Sequence, residues 1–460
     1  MNAATDSIVA LSTPPGRSGI GVIRISGPDA VAIARRMTGS LPIDPQPNLM
    51  TLHRVIDPFT GETLDQALVC YFKSPHSFTG EDVVEFHCHG SPVLLRRIID
   101  TILRLDARLA NPGEFSLRAV MNGRLQLTQA EAIRDLIDAQ TDAAAQQATR
   151  QLSGEISHRL DPARDSLLKI IVRLESSLEF VEDDLPQLEQ KEIENTLANL
   201  RADLLSLAKT FARGRLVRDG LTAAIVGRPN GGKSSLFNML LGHERAIVTD
   251  IPGTTRDTIS EPIELDGIPL TLIDTAGMRT TTEEIETMGV ERTRRAAADA
   301  DMLVVVIDGS DFPNDDDKAV LEDARGKTHV VALNKSDLPT FSKRSISQRL
   351  HTNGECAPIV SVSALTHEGL EDLRAAMLEP FVNGNGAAEG FMITTARHHD
   401  LLLRAANSIE ESEHLIRQRA REEIILVGLH NALRFLGEIT GETTTEEILG
   451  QIFSTFCIGK

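Results

Sequence analysis

One series of side chains in the middle of the chain is equipped to hold a phosphorylated ligand. Gly227-Arg-Pro-Asn230-Gly231-Gly232-Lys233-Ser234 fits the spacing G-x-x-x-x-G-K-S, directly after the apolar run LTAAIV and before the helical run SLFNMLLG. Glycines let backbone N–H groups approach phosphates, the following helix aims its positive end at them, Lys233 adds a point charge, and the Ser234 hydroxyl can ligate Mg²⁺. Asp274-Thr275-Ala276-Gly277 closes a strand-like run, offering a carboxylate to hold the magnesium through water and an N–H to sense the γ-phosphate. Asn334-Lys335-Ser-Asp337 ends another such run; the Asp337 carboxylate can accept two N–H bonds from the guanine edge, which adenine does not offer. Ser363-Ala364-Leu365 can present a backbone N–H to the guanine carbonyl. Between these lies Thr249-Asp250-Ile251-Pro252-Gly253-Thr254-Thr255, rich enough in hydroxyls to supply a second magnesium ligand and to order around a γ-phosphate. The series predicts a GTP-binding site made of these segments, with Ser235 completing the loop.

The residue after Gly277 is Met278, where Ras-type GTPases place the glutamine that orients water. A thioether cannot do this, so the candidates are Glu283, Glu284 and Glu286 in the stretch that follows. No arginine finger is assignable in cis, so another cation should offset the developing charge. Asn230 and the carbonyls of Thr249–Thr254 can coordinate a monovalent ion; Asn230 can equally cap the loop through its own backbone. Spacing alone leaves both open.

The elements that must position these groups change texture along the chain. Residues 1–123 mix strand-like runs (GIGVIRISG, ALVCYF, DVVEFHCHG) with turns and an amphipathic helix at 92–105, predicting an α+β domain. Residues 124–216 read as long helices, with Leu167, Leu168, Ile171, Leu174 and Leu178 at helical spacing. Residues 217–388 alternate apolar strands with helices, the pattern of a mostly parallel sheet, and end in the linker-like VNGNGAAEG. Residues 389–460 return to helix, with Leu426, Leu429, Leu433 and Leu436 on one stripe. The chain is therefore multidomain, with an α/β P-loop domain inserted into a discontinuous helical domain.

Composition narrows the class. The 460 residues hold 41% apolar side chains, no Trp and one Tyr, which excludes a disordered chain and a stacking platform for nucleic acid. The net charge of −19 arises beyond residue 124; residues 1–124 are balanced, so phosphate-backbone contacts favour the first quarter. No run approaches a membrane span, no basic segment precedes the first apolar stretch, and four scattered cysteines suit a reducing, cytoplasmic setting. His87-Cys88-His89 lacks a third metal ligand, Asp315-Asp-Asp317 and Glu182-Asp-Asp184 read as solvated loops, and His398-His399 reads as a surface pair at a helix start.

With SFTGEDVVEFHCHG, NPGEFSLRAVMNGRLQLTQAEAIRDLIDA and the terminal FCIGK added to the nucleotide motifs, the chain resembles, end to end, the MnmE (TrmE) family of tRNA-modification GTPases. The resemblance implies a Ras-like GTPase domain and a homodimer built through an N-terminal domain similar to one-carbon folate-binding domains. It implies work with the flavoprotein MnmG (GidA), in a heterotetramer or larger complex, to place an aminomethyl-type group on carbon 5 of a tRNA wobble uridine. Position by position, it makes Asn230, Thr249, Ile251 and Thr254 ligands of K⁺, Ser234 and Thr255 ligands of Mg²⁺, and Glu286 the acid that orients the attacking water. It assigns Arg24, Glu85, Arg124 and Lys460 to a tetrahydrofolate derivative of 5-formyl or methylene type, although Arg24 and Glu85 can instead simply pair with each other. Arg124 stands where a relative has Lys, offering a planar fork rather than a point charge. Cys457 is a candidate participant in the modification or a structural thiol. The competing expectation is a ribosome-assembly or signalling GTPase without modification activity.

Overall fold

The computed structural model describes residues 6–42, 44–179, 187–243, 259–274, 297–344, 346, 357–381, 390–442 and 446–459. The chain forms two compact units, Met1–Ile137 with Thr149–Ala198 and Asn407–Lys460, and Asp138–Ala148 with Asn199–Ala406.

In the first unit, strands β1 (Ser7–Leu11), β2 (Ser18–Ser26), β3 (Thr51–Ile56), β4 (Thr63–Phe72), β5 (Val83–Gly90) and β6 (Ala107–Leu109) form a sheet in the order β3-β4-β5-β2-β1-β6. All neighbours are antiparallel except β1 and β6. Period-2 alternation sends Ile23, Ile25, Val69, Tyr71, Val84 and Phe86 to one face, where helices Ala30–Thr38 and Pro92–Leu103 cover them with Ile33, Met37, Ile98 and Ile102. The other face of β2 carries Arg24, so the same alternation that builds the core sets out the polar face. Helices Glu114–Met121, Leu127–Asp138, Glu155–Glu179, Glu422–Thr440 and Glu446–Phe453 also belong to this unit, and Leu127, Ala130, Leu449, Phe453 and Phe456 form a small core of their own. The terminal segment docks on the N-terminal domain: the Gly113 amide donates to the Cys457 carbonyl at 3.3 Å, and the Ser12 hydroxyl to the Gly459 carbonyl at 3.3 Å.

The second unit holds strands β7 (Leu221–Val226), β8 (Ile259–Leu265), β9 (Ile268–Asp274), β10 (Met302–Asp308), β11 (His329–Asn334) and β12 (Ile359–Ser361), in the order β12-β11-β10-β7-β9-β8. The sheet is parallel except for β8, which runs antiparallel to β9. Every residue of β10 is buried, because helices cover both faces and leave no solvated side for polar alternation. Val304 and Val306 pack with Leu236, Leu240 and Leu373 on one side; Leu303, Val305 and Ile307 pack with Ala324 on the other. This is a multidomain chain with a doubly wound α/β domain, an α+β domain and helical segments.

Three local expectations change. Asp315–Asp317 begin the helix Asp315–Ala324 instead of lying in a solvated loop. Asn314 accepts from the Asp317 amide at 3.0 Å and Asp317 accepts from the Asn314 amide at 3.1 Å, a capping box that takes Asp317 to 1% exposure. His398, expected at the surface, is fully buried near the start of the helix Ala396–Arg417, while His399 stacks on Phe211 at 4.5 Å. Adjacent helical residues point about 100° apart, so a consecutive pair cannot share one environment. The same geometry leaves Leu168 41% exposed beside buried Leu167 and Ile171. The 382–389 and 182–184 stretches lie outside the described residues.

Two glycines test the packing with opposite signs. A Cβ on Gly214, in the helix Phe211–Asp219, would stand 2.1 Å from the Ile393 carbonyl oxygen, whereas one on Gly242 meets nothing within 4 Å. Gly214→Ala should destabilise by about 1–3 kcal/mol and Gly242→Ala should stabilise by about 0.5–1 kcal/mol in urea unfolding. Equal stabilities would show that the Gly214 contact does not constrain the helix.

Candidate functional site

The phosphate loop follows β7 and leads into the helix Lys233–His243. Its backbone is shaped by residues that tolerate or require unusual conformations. Gly227 has φ +151°, and a Cβ there would stand 2.3 Å from the Val306 carbonyl oxygen of the adjacent strand. Asn230 is exposed with φ +62°, the left-handed region that asparagine enters more readily than most residues. Gly232, at φ +93°, is needed for a reason beyond ligand approach: a Cβ would stand 2.0 Å from the Asn334 Nδ2 atom. Gly231 is under no such constraint, its nearest neighbours lying at ordinary contact distance. Lys233 is 7% exposed, and its ammonium donates to the Gly227 and Arg228 carbonyls at 2.9 and 2.8 Å. The lysine is thus held at the mouth of the loop, with Ser234 and Ser235 exposed behind it on the first turn of the helix.

Sheet order brings the other segments alongside. Asp274 ends β9 opposite Ile225 of β7 and is 3% exposed, so its carboxylate lies one strand from the phosphate loop. Asn334 ends β11, and its carboxamide joins three segments: Nδ2 donates to the Gly231 carbonyl at 3.2 Å, and Oδ1 accepts from the Ala364 amide at 3.1 Å. Ser363 donates its hydroxyl to Asp337 Oδ1 at 2.6 Å and accepts from the Leu365 and Thr366 amides at 3.3 and 3.1 Å. Asp337 remains exposed, so its carboxylate is oriented by Ser363 while open to a ligand. Lys335 has φ +67° and donates from Nζ to Asp308 Oδ2 at 2.5 Å.

The structure therefore gathers Asn230–Ser235, Asp274, Asn334, Lys335, Asp337 and Ser363–Leu365 at the carboxyl ends of β7, β9 and β11 and beside β12, where open α/β sheets bind ligands. Thr249–Thr255, Thr275–Gly277, Met278, Glu283, Glu284 and Glu286 lie outside the described residues, as does Lys460. Hydroxyl and carboxylate oxygens at Ser234 and Asp274 suit a hard divalent cation. Arg228 belongs to the phosphate-loop motif, but no local pattern announces Asp308 as its neighbour; sheet order sets the carboxylate and guanidinium groups side by side.

The polar face of the N-terminal sheet carries a second cluster. Arg24 and Glu85 are register partners on β2 and β5, and they pair: Arg24 Nε donates to Glu85 Oε1 at 2.8 Å. His87 Nε2 lies 3.2 Å from Glu85 Oε2. The Arg24 guanidinium sits over the rings of Phe78 and Phe115 at 5.4 and 5.7 Å, two contacts that sequence spacing did not suggest. Burial, and then the Glu85 charge, push the neighbouring Cys70 thiol up from its ordinary value. Arg124 is exposed, donates from Nε to the Ser77 carbonyl at 3.0 Å, and borders a cleft of about 400 Å³. Ser77 precedes Phe78, so Arg24 and Arg124 are held by adjacent residues of one loop. Cys457 is exposed. Among the described residues no group of three His, Cys, Asp or Glu side chains could hold a metal, and no helix is long and apolar enough to cross a membrane.

Comparison with known proteins places this arrangement. Residues 127–457 match the family model of the MnmE helical domain, and residues 7–124 match that of the GTP-binding protein TrmE N-terminus. The tRNA modification GTPase MnmE of Koribacter versatilis is 43% identical over 460 residues, covering 99% of each chain. Those of Natranaerobius thermophilus and Aquifex aeolicus are each 41% identical, covering 99% of this chain and 99% and 100% of their own.

The base-side geometry predicts a change of specificity. Asp337→Asn should lower kcat/KM for GTP about 100-fold while improving use of xanthosine triphosphate, whose edge carries an acceptor where guanine has a donor. Unchanged preference in a competition assay would remove Asp337 from the base contact.

Proposed function

This chain belongs to the MnmE (TrmE) family of GTPases, and from that premise we propose that it couples GTP hydrolysis to modification of the wobble uridine of certain tRNAs at carbon 5. It is a GTP hydrolase. In the proposed reading it adds a carboxymethylaminomethyl or aminomethyl group together with MnmG, drawing a one-carbon unit from a tetrahydrofolate derivative. The observation that carries the reading is the extent of the match: 99% of both chains align with the Koribacter relative, so the GTPase fold comes with a polar N-terminal sheet and a terminal tail seated on it. A ribosome-assembly or signalling switch needs neither.

The chain's own residues divide the work. Phosphate-loop amides and Lys233 hold the triphosphate, Asp337 and the Ala364 segment select guanine, and Asn334 keeps the two in register. Ser234 and Thr255 would hold Mg²⁺, with Asp274 behind them; Asn230, Thr249, Ile251 and Thr254 would hold K⁺. Bound there, the cations neutralise charge developing on the transferred phosphoryl oxygens. The exposed Asn230 side chain, presented by a left-handed backbone, supports its assignment as a ligand. Glu286 orients the attacking water, a role that Met278 cannot fill.

On the N-terminal sheet, Glu85 can accept from the donors of a pterin, and Arg24, Arg124 and Lys460 supply cations for a carboxylated tail. The cleft beside Arg124 gives such a tail room. Homodimerisation through this domain is supported by Ile20, Leu52 and Leu68, apolar side chains 59%, 61% and 41% exposed on the sheet face opposite the helices. The proposed domains are 1–123, 124–216, 217–388 and 389–460. A cytoplasmic location accords with the free thiols of Cys70, Cys88 and Cys457.

Nucleoside mass spectrometry of a deletion strain tests the reading: 5-substituted wobble uridines should disappear, and their unaltered presence would favour the switch. Replacing K⁺ with Na⁺ should lower GTP turnover about tenfold or more, and Asn230→Ala should abolish that salt dependence. Glu286→Ala should reduce kcat about 100-fold with little change in KM; equal rates in both salts would refute the potassium assignment.

A further inference from the structure

We propose that Asp308 is a positioning residue for guanine-nucleotide binding, acting through the Lys335 ammonium that it anchors and the Arg228 guanidinium that it faces. The inference rests on the assignment of this site to GTP. Strand β10 lies between β7 and β11, and its last residue, Asp308, is the register partner of Asn334. Its carboxylate therefore stands between the phosphate loop and the base-selecting loop. Oδ1 accepts from the Ser310 amide at 3.0 Å and the Ser310 hydroxyl at 2.6 Å, which fixes the rotamer. Oδ2 accepts from Lys335 at 2.5 Å and lies 3.9 Å from the Arg228 guanidinium. Burial pushes this carboxyl up, but Lys335 and Ser310 outweigh it and hold the group below the usual carboxylate range.

Arg228 is drawn to the same side by two more carboxylates, Asp311 at 3.6 Å and Asp317 at 3.6 Å from its guanidinium. The capping box at Asn314 fixes Asp317, and among the described residues its buried Oδ1 meets no hydrogen-bond partner but has Arg228 as an ion-pair neighbour. The second residue of the phosphate loop is thus tied away from the phosphates, and the lysine of the base loop is tied to the same anchor. Lys335 stands two residues before Asp337, so anchoring its ammonium fixes the segment that presents the Asp337 carboxylate. Asp308 thus acts on the loops that would face the moieties GTP and GDP share, so its effect should be the same for both nucleotides.

Titration with fluorescent GDP and non-hydrolysable GTP analogues, in the full-length protein, separates the possibilities. Asp308→Asn should raise Kd for both by a similar factor, about tenfold, with kcat at saturating GTP within about twofold of wild type and partial recovery in Asp308→Glu. Lys335→Met should weaken binding comparably, and adding Asp308→Asn to it should cost less than about twofold more. Unchanged affinity in Asp308→Asn, or losses that multiply in the double variant, would overturn the proposal; the double variant decides even where the single one is less stable, since general destabilisation acts independently of Lys335. Failure of the wild-type protein to bind guanine nucleotides would instead overturn the assignment of the site.

Discussion

The nucleotide site depends on one carboxamide. Asn334 is 2% exposed and spends both ends of its side chain on backbone groups of other segments, the Gly231 carbonyl and the Ala364 amide. A buried amide leaves little freedom, because losing either partner strands a polar atom at a cost of about 1–3 kcal/mol. Phosphate loop, base loop and the Ser363 turn are therefore fixed relative to one another before any ligand arrives. The price appears at Gly232, where the Asn334 nitrogen occupies the space of a side chain. Two motif residues a hundred positions apart are thus a single steric choice.

The two polar sites solve the same problem by different sheet geometries. In the parallel sheet, functional groups sit on loops at strand ends, and order among the strands decides which loops meet. In the antiparallel N-terminal sheet they sit within the strands. Register alone places Arg24 opposite Glu85, and period-2 alternation puts His87 on the same face while Phe86 and Cys88 enter the core. Rigidity in the first case comes from side chain to backbone bonds, and in the second from the ladder itself.

What could be read in the sequence follows this division. The phosphate loop, Asp274 and Asn334–Asp337 are local patterns bounded by apolar strands, so residue type and flank suffice to place them. Glu85 and His87 share a face for reasons of period, which is also local. Asp308 ends a strand in the same manner as Asp274, but its importance comes from lying between two other strands, a property of topology. A run of three acids resembles a solvated loop, and it is Asn314 that turns Asp315–Asp317 into a helix start. His398 is buried although the His398-His399 pair looks uniformly polar, because consecutive helical positions diverge. Phe78 and Phe115 reach Arg24 from a loop and a helix far away in the chain, beyond any spacing rule.

Backbone strain marks the same ground. Among the described residues, seven non-glycine residues have positive φ, and three of them, Asn230, Lys335 and His367, lie in or beside the nucleotide loops. Asparagine enters this region readily, but lysine gains nothing there by itself, and a left-handed non-glycine residue costs about 1 kcal/mol or more. At Lys335 the conformation persists because both ends are held: Ser336 donates its amide to the Val362 carbonyl at 3.1 Å, and the ammonium meets Asp308. A glycine would relieve the backbone yet surrender the anchor, and an extended lysine would turn Asp337 away from Ser363. The strained residue is retained because one side chain must face the strand end behind it while the next acid faces the ligand, and only a left-handed turn between them satisfies both.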